Sequence, residues 1–318
     1  MITADGIRQS IGKVIPTHWA GFDVIDIPAA PGFKVGRAEG AAIVLLTPAD
    51  TAPEPPTQLQ RISLQPSARL QVRHPNGIIE EGWWGLVQLN LGEVEYLDTF
   101  VSVIANVVNV VGQDPEPGRV SIAMRRLVRL FDAAAPPRGS VLGLWGELLL
   151  LRQMGSTTLA LDSWHSNIDD RFDFAAPGSR LEVKTTTLSE RRHKFSLEQL
   201  LPVQGAVTSV VSIMTTETLA GSSLQWMIAA IQESLSGDPE RQMRVHEVVS
   251  STLGPEWYRH VKRAFDAQQA IDSMRILRAS DIPRVGAVPH GVTEVRFSVE
   301  CGHIDPGHPP IGLSSLID

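Results

Sequence analysis

The sequence predicts an α/β (α+β) chain in two parts: a β-rich N-terminal domain over residues 1–115 that ends in a helix, and a second domain over 116–318 that alternates strands with helices. Three observations carry this. Short apolar or alternating runs bounded by Pro and Gly recur between residues 22 and 91, which is the pattern of strands. From Glu93 the apolar period becomes helical, with Tyr96, Phe100, Val103, Val107 and Val111 on one face. Residues 113–118 (QDPEPG) then concentrate breakers and acids, a boundary signal, and beyond them strand and helix patterns interleave.

In order, residues 22–27 and 41–47 read as strands. Residues 49–57, with Pro53, Pro55 and Pro56, read as a loop, because neither a ladder nor a helix tolerates prolines so closely spaced. Residues 59–64, 68–73 and 83–91 read as further strands, interrupted by Pro66 and by the turn signal His74-Pro75-Asn76-Gly77, and a meander or half-barrel follows. Adjacent on their strand, Trp83 and Trp84 point to opposite faces, one to the core and the other to a partner or nucleic-acid stacking surface. Gly112 closes the helix that comes next. Residues 101–111 are the most membrane-like stretch, yet they are about half the length that spans a bilayer and read as a core helix. Two helices follow: 119–134, with Arg125, Arg126 and Arg129 on its polar side, and 140–154, separated from it by Pro136-Pro137. Strands are then expected near 171–176, 181–187, 207–214, 272–279 and 293–299, and helices near 222–235, 240–251 and 256–268.

Composition bounds the function. With 28 Lys and Arg against 35 Asp and Glu, the formal net charge is −7. That excludes a free-standing protein that coats DNA nonspecifically, since such proteins need a basic footprint to release phosphate counterions. A localised basic face remains compatible, because residues 119–194 hold 12 Lys or Arg against 8 Asp or Glu. The single cysteine, Cys301, excludes an intramolecular disulfide and fits a reducing compartment. Residues 1–15 show no basic stretch leading into an apolar run, so no secretory signal is read and a cytoplasmic location is expected. The chain lacks a Gly-x-x-x-x-Gly-Lys-Ser/Thr loop, a His-Glu-x-x-His helix and a Gly-x-Ser-x-Gly elbow. Cys301, His303 and His308 lack the paired spacing of a zinc site.

The informative stretch runs from Arg171 to Lys184. If a hairpin turns about Pro177-Gly178, Phe174 meets Leu181, Phe172 meets Val183, and Asp173 faces Glu182. Two carboxylates directly across a ladder repel, so something positive belongs between them. Mg²⁺ fits, because it takes one or two protein carboxylates together with water and substrate phosphate. Lys184 shares the face of Glu182, where it can hold an attacking water or stabilise charge developing on a phosphate. Upstream, the segment Val141-Leu142-Gly143-Leu144-Trp145-Gly146-Glu147-Leu148 is apolar nearly all round, as buried helices are, yet carries one acid, Glu147. A metal or its water would offset the cost of burying that carboxylate.

This order resembles the PD-(D/E)XK phosphodiesterase superfamily, which includes many restriction endonucleases and recombination nucleases: a helix with Glu147, a strand with Asp173, then Glu182-Val183-Lys184, then a helix and a further strand. The longer pattern, Gly-Leu-Trp-Gly-Glu-Leu through Gln199, resembles an uncharacterised bacterial family named for the motif and often found beside restriction and phage-defence genes. Phe172 stands where the motif has its proline. The resemblance implies a restriction-endonuclease-like mixed sheet flanked by helices. It also implies that Asp173 and Glu182 bind Mg²⁺ (or Mn²⁺), that Lys184 is the catalytic lysine, and that Glu147 is an accessory metal-binding acid.

Downstream, Arg191, Arg192 and Lys194 form a basic cluster where DNA phosphates would pass. His193 within it reads as either a general base or a loop residue, and Gln199 as a polar residue near the active lysine. The expectation is a metal-dependent DNA endonuclease of a bacterial restriction or phage-defence system, with defence-system protein partners and a homodimer for cutting both strands. The alternative is a non-catalytic, nuclease-like DNA-binding or scaffold subunit.

Overall fold

The computed structural model describes residues 1–16, 19, 21–38, 42–59, 61–90, 96–112, 115–131, 139–165, 171–254 and 257–307. Residues 113–114 of the expected boundary, the Pro136-Pro137 separator and His308 lie outside the described residues. By its contacts the chain divides into two compact units, Met1–Arg138 with Ser236–Arg259, and Gly139–Leu235 with His260–Asp318.

The first unit opens with helix α1 (Ala4–Gly12), capped by the Thr3 hydroxyl accepting from Gly6 N. Six strands follow: β1 (Phe22–Asp26), β2 (Lys34–Arg37), β3 (Ile43–Pro48), β4 (Thr57–Gln58), β5 (Ile62–Arg73) and β6 (Ile79–Leu89). Their order is β1-β2-β3-β6-β5-β4, and β1 also pairs in parallel with β5 through Phe22–Val72 and Asp23–Arg73, so the sheet closes on itself. An ion pair of 2.7 Å between Arg73 and Asp23 lies at that closure. The two strands expected at 59–64 and 68–73 are one strand, whose register shifts between Gln65 and Ala68 around Pro66. The bulge accommodates a residue with no donor for the ladder. Trp84 is buried under the Lys34 ammonium, and Trp83 is half-buried. Helices α2 (Leu97–Val111) and α3 (Pro117–Leu130) come next, and α2 ends at Gly112 with φ 83, a backbone region that suits glycine. Residues 101–111 belong to the core of this unit, and no described helix is long and apolar enough to cross a membrane.

In the second unit, α4 (Val141–Gln153) and α5 (Thr157–Ser163) precede the hairpin β7 (Phe174–Ala176) and β8 (Ser179–Thr186). Then come β9 (Arg192–Ser196), α6 (Leu197–Leu200), β10 (Val207–Met214), β11 (Glu217–Ser223) and α7 (Leu224–Ser234). The next helix, α8 (Pro239–Leu253), belongs to the first unit, where it packs on α2 and α3, and Arg126 reaches Glu247 at 2.9 Å and Glu240 at 2.7 Å. The remaining elements are α9 (Trp257–His260), β12 (Ala264–Phe265), α10 (Ala267–Ser273), β13 (Arg275–Arg278) and β14 (Arg296–Glu300). The central sheet has the order β13-β10-β8-β7, with β8 and β10 parallel and the outer pairs antiparallel; α4 packs on β8 and α10 on β10. This is the mixed α+β architecture expected from the sequence, compatible with a nuclease-like fold.

Two boundaries differ from expectation. α3 stays with the β-rich unit, because its buried face of Val120, Met124 and Leu127 packs on α2 and β5. The helix expected at 256–268 is only the short α9 followed by β12. The intervening segment gives the carbonyls of Val261 and Arg263 to Gln225 N and Leu224 N, the open donors at the start of α7.

Candidate active site

Helix α4 begins at Ser140, whose hydroxyl accepts from Gly143 N at 3.0 Å, and it is buried over Leu144–Leu151. Gly146 lets it approach β8: a Cβ there would sit 1.9 Å from Thr185 Oγ1. The adjacent Glu147 is 7% exposed, and its Oε2 accepts from Trp164 Nε1 at 2.9 Å. A glycine followed by an acid therefore places a carboxylate in the interior beside the strand that carries the motif.

The hairpin forms with the expected register, Phe174–Leu181, Ala175–Arg180 and Ala176–Ser179, around Gly178 at φ 74. Asp173 does not extend the ladder to face Glu182. It precedes β7, and its Oδ2 accepts from Val183 N at 2.7 Å, so the side chain takes a backbone donor of β8 that no strand partner fills. Phe172, at the proline position, is buried.

Glu182 is 3% exposed. Its Oε1 receives Lys184 Nζ at 2.7 Å and the amide of Gln199, whereas its Oε2 is buried without a hydrogen-bond partner among the described residues. Lys184 Nζ also lies 5.5 Å from the centre of the Phe195 ring. Burial, then the charges of Glu182 and Glu147, push the Asp173 carboxyl well above the usual carboxylate range. Burial raises Glu182 as well, against the opposing pull of Lys184. Three carboxylates held in each other's field with one open oxygen form a donor set suited to a divalent cation.

His165 completes the cluster, and nothing in the sequence reading pointed to it. Its Nε2 lies 2.8 Å from Glu147 Oε2 and 4.0 Å from Asp173 Oδ1, and ligand atoms of Glu147, His165 and Asp173 all fall within 4.8 Å of one another, close enough to hold one metal ion. Trp164 bridges Phe174, and His165 N donates to Asp173 O at 2.8 Å. A reversal of the chain after α5 thus brings His165 against a residue eight positions later. A histidine following a tryptophan at a helix end was the sole available signal, and by itself it does not separate a site residue from a packed one.

The basic cluster divides. Arg191 is a correction to the expected DNA-contacting set: it is 6% exposed and donates to Ser212 O, Ser212 Oγ and Ser273 O at 2.9, 2.7 and 2.6 Å. Its guanidinium ties interior backbone together. His193 is also buried, 2.6 Å from Ser212 Oγ, and burial lowers its pKa to about 4. It lies on β9 and not in a loop. Arg192 and Lys194 are exposed on the opposite face of that strand, with Arg192 paired to Glu190 at 2.6 Å. Gln199, in α6, touches Glu182 and so belongs to the buried site, not to an exposed nucleic-acid face. Near the C-terminus, burial pushes the Cys301 thiol up to about 11, and His303 is exposed beside Glu300.

No curated protein and no solved structure matches the chain. A protein family does match, over residues 31–302, and thus through much of the β-rich unit as well as the motif: DUF4420, described as "Putative PD-(D/E)XK family member". Members of the PD-(D/E)XK superfamily are usually nucleases that use a divalent metal. With most of its length matched and its acid, acid-x-Lys and helix-borne Glu147 gathered in one cluster, the chain belongs to the DUF4420 family of PD-(D/E)XK proteins.

Proposed function

We propose that the protein is a Mg²⁺-dependent DNA endonuclease that hydrolyses phosphodiester bonds as a component of a bacterial restriction or phage-defence system. The observation that carries the reading is the cluster of the buried Glu147 and Glu182 with the half-buried Asp173, and Lys184 Nζ 2.7 Å from Glu182 Oε1.

The residues fit a divalent cation, because Glu182 keeps a buried oxygen without a hydrogen-bond partner among the described residues and Asp173 is destabilised as an anion by burial and by two neighbouring carboxylates. Asp173, Glu147 and Glu182 would hold the ion. When bound, it supplies Lewis acidity at the phosphoryl group and makes water a stronger nucleophile at neutral pH. Lys184 brings a compact positive charge to the same place, where it orients the attacking water and offsets charge that develops on the phosphate. Gln199 fixes the Glu182 carboxylate through Oε1. The exposed Arg192 and Lys194 offer phosphate contacts.

The defence role rests on the family resemblance, a homodimer on the need to cut two antiparallel strands with one site per chain, and a cytoplasmic setting on the free, buried Cys301. A second reading, a non-catalytic DNA-binding or scaffold subunit, draws support from the net charge of −7. The test is cleavage of supercoiled plasmid by the purified protein with Mg²⁺ or with EDTA, and by Lys184→Ala and Asp173→Asn. Cutting by wild type with Mg²⁺ alone, and by neither variant, is expected. Cleavage by a variant at the wild-type rate refutes the mechanism, and DNA binding that is equal in EDTA with no cutting at all favours the scaffold.

A further inference from the structure

We propose that His165 is a nitrogen ligand of this metal centre and biases it toward a first-row transition cation, Mn²⁺ over Mg²⁺. The inference rests on the metal-site reading above and adds the ligand that sets ion preference.

The three side chains converge closely enough to share one ion. His165 Nε2 hydrogen-bonds Glu147 Oε2 at 2.8 Å and lies 4.0 Å from Asp173 Oδ1, and ligand atoms of all three fall within 4.8 Å of one another, so a cation would take the place of the proton that now joins His165 to Glu147. The ring is placed by the protein. His165 N is bonded to Asp173 O, Trp164 pairs with Phe174, and Trp164 Nε1 holds Glu147 Oε2. His165 itself adopts φ 41, in the left-handed region that residues other than glycine seldom occupy. Independently of these contacts, the neighbouring Glu182 presents a buried oxygen with no hydrogen-bond partner among the described residues, a polar atom that a cation nearby would satisfy.

The chemistry sets the preference. Mg²⁺ selects oxygen ligands and gives up water reluctantly, so an imidazole in its shell is a poor exchange. First-row transition ions accept imidazole nitrogen, and Mn²⁺ also accepts carboxylate oxygen, so two or three carboxylates with one histidine suit it better than an all-oxygen set would. Trp164 Nε1, by donating to Glu147, orients that carboxylate as a supporting hydrogen bond orients a metal ligand.

The experiment uses the untagged full chain, with Mn²⁺ and Mg²⁺ binding followed by calorimetry and the Mn²⁺-loaded protein read by electron spin-echo envelope modulation. Wild type is expected to bind Mn²⁺ about tenfold or more tightly than Mg²⁺ and to show modulation from a directly bound ¹⁴N. In His165→Ala the nitrogen modulation disappears and the Mn²⁺ preference falls to within about threefold, with Mg²⁺ affinity little changed. The wild-type spectrum decides the matter even if the variant folds poorly. Mn²⁺ bound without nitrogen modulation, modulation that survives in His165→Ala, or equal affinity for the two ions overturns the inference and leaves the metal site standing. No binding of either ion by wild type overturns both.

Discussion

One added methyl group at Gly146 tests the packing on which the site depends. A Cβ at this position would lie 1.9 Å from Thr185 Oγ1 and 3.1 Å from Thr185 Cβ. Ordinary contact begins near 3.4 Å, so α4 and β8 must part by about 1.5 Å or Thr185 must leave its rotamer. Overpacking of this kind costs about 1–3 kcal/mol, while helix propensity returns about 1 kcal/mol when Gly becomes Ala. Gly146→Ala is therefore expected to lose about 1 kcal/mol net, and up to about 2, seen as a lower urea midpoint at unchanged m. Mg²⁺ affinity should fall with it, because Glu147 is the next residue on the displaced helix. The steric origin is separable: Thr185→Ala removes Oγ1, so in a double-mutant cycle the pair should show a favourable coupling of about 1 kcal/mol. A Gly146→Ala protein that gains the full propensity term, or that shows no coupling to Thr185→Ala, refutes the close approach of α4 to β8.

Other consequences follow from buried groups. His246 in α8 is 3% exposed, 3.3 Å from Ser102 Oγ, and burial lowers its pKa to about 4. Below about pH 6.5 the unfolded chain binds a proton that the folded one refuses, so stability falls as pH drops from there to about 4 and then levels. His246 should contribute about 2 kcal/mol to the loss between pH 7 and pH 5 in urea titrations, beside a similar contribution from the buried His193, and His246→Gln should remove its own share; an unchanged pH slope in the variant contradicts the assignment. Arg191→Ala, which strands acceptors on Ser212 and Ser273, should cost about 2–3 kcal/mol of stability. Arg192→Ala and Lys194→Ala should each stay within about 0.5 kcal/mol of wild type, yet lower DNA affinity and the salt slope by about 1. Equal destabilisation by all three would contradict the division into an interior Arg191 and an exposed Arg192 and Lys194.

Much of this was legible because two local signals agreed. The apolar pair Phe174–Leu181 set the hairpin register, and a lone acid on an apolar helix marked Glu147. The expected pairs Asp173–Glu182 and Phe172–Val183 both failed because β7 starts only at Phe174, which frees the Asp173 side chain to take the Val183 amide. Arg191 was misjudged as part of a charge run. Arg191 stands one residue before β9, and the alternation of that strand continued back to it places it with the buried His193 and Phe195, opposite Arg192 and Lys194, which is informative only once β9 is known to be a strand. His165 stayed hidden because its role comes from a chain reversal, and neither periodicity nor spacing encodes one. The boundary near 115 missed α3 and α8 for a related reason: breakers mark where helices end, whereas the buried faces of those helices decide which unit they join.

The most direct test of the account is calorimetric binding of Mg²⁺ and Mn²⁺ to wild type and to Glu182→Ala, followed by plasmid cleavage in the same buffers. Saturable binding by wild type that is lost in the variant, with cleavage by wild type alone, is the predicted result. Equal binding by the two proteins, or none by wild type, would contradict the claim that this buried cluster is a metal centre.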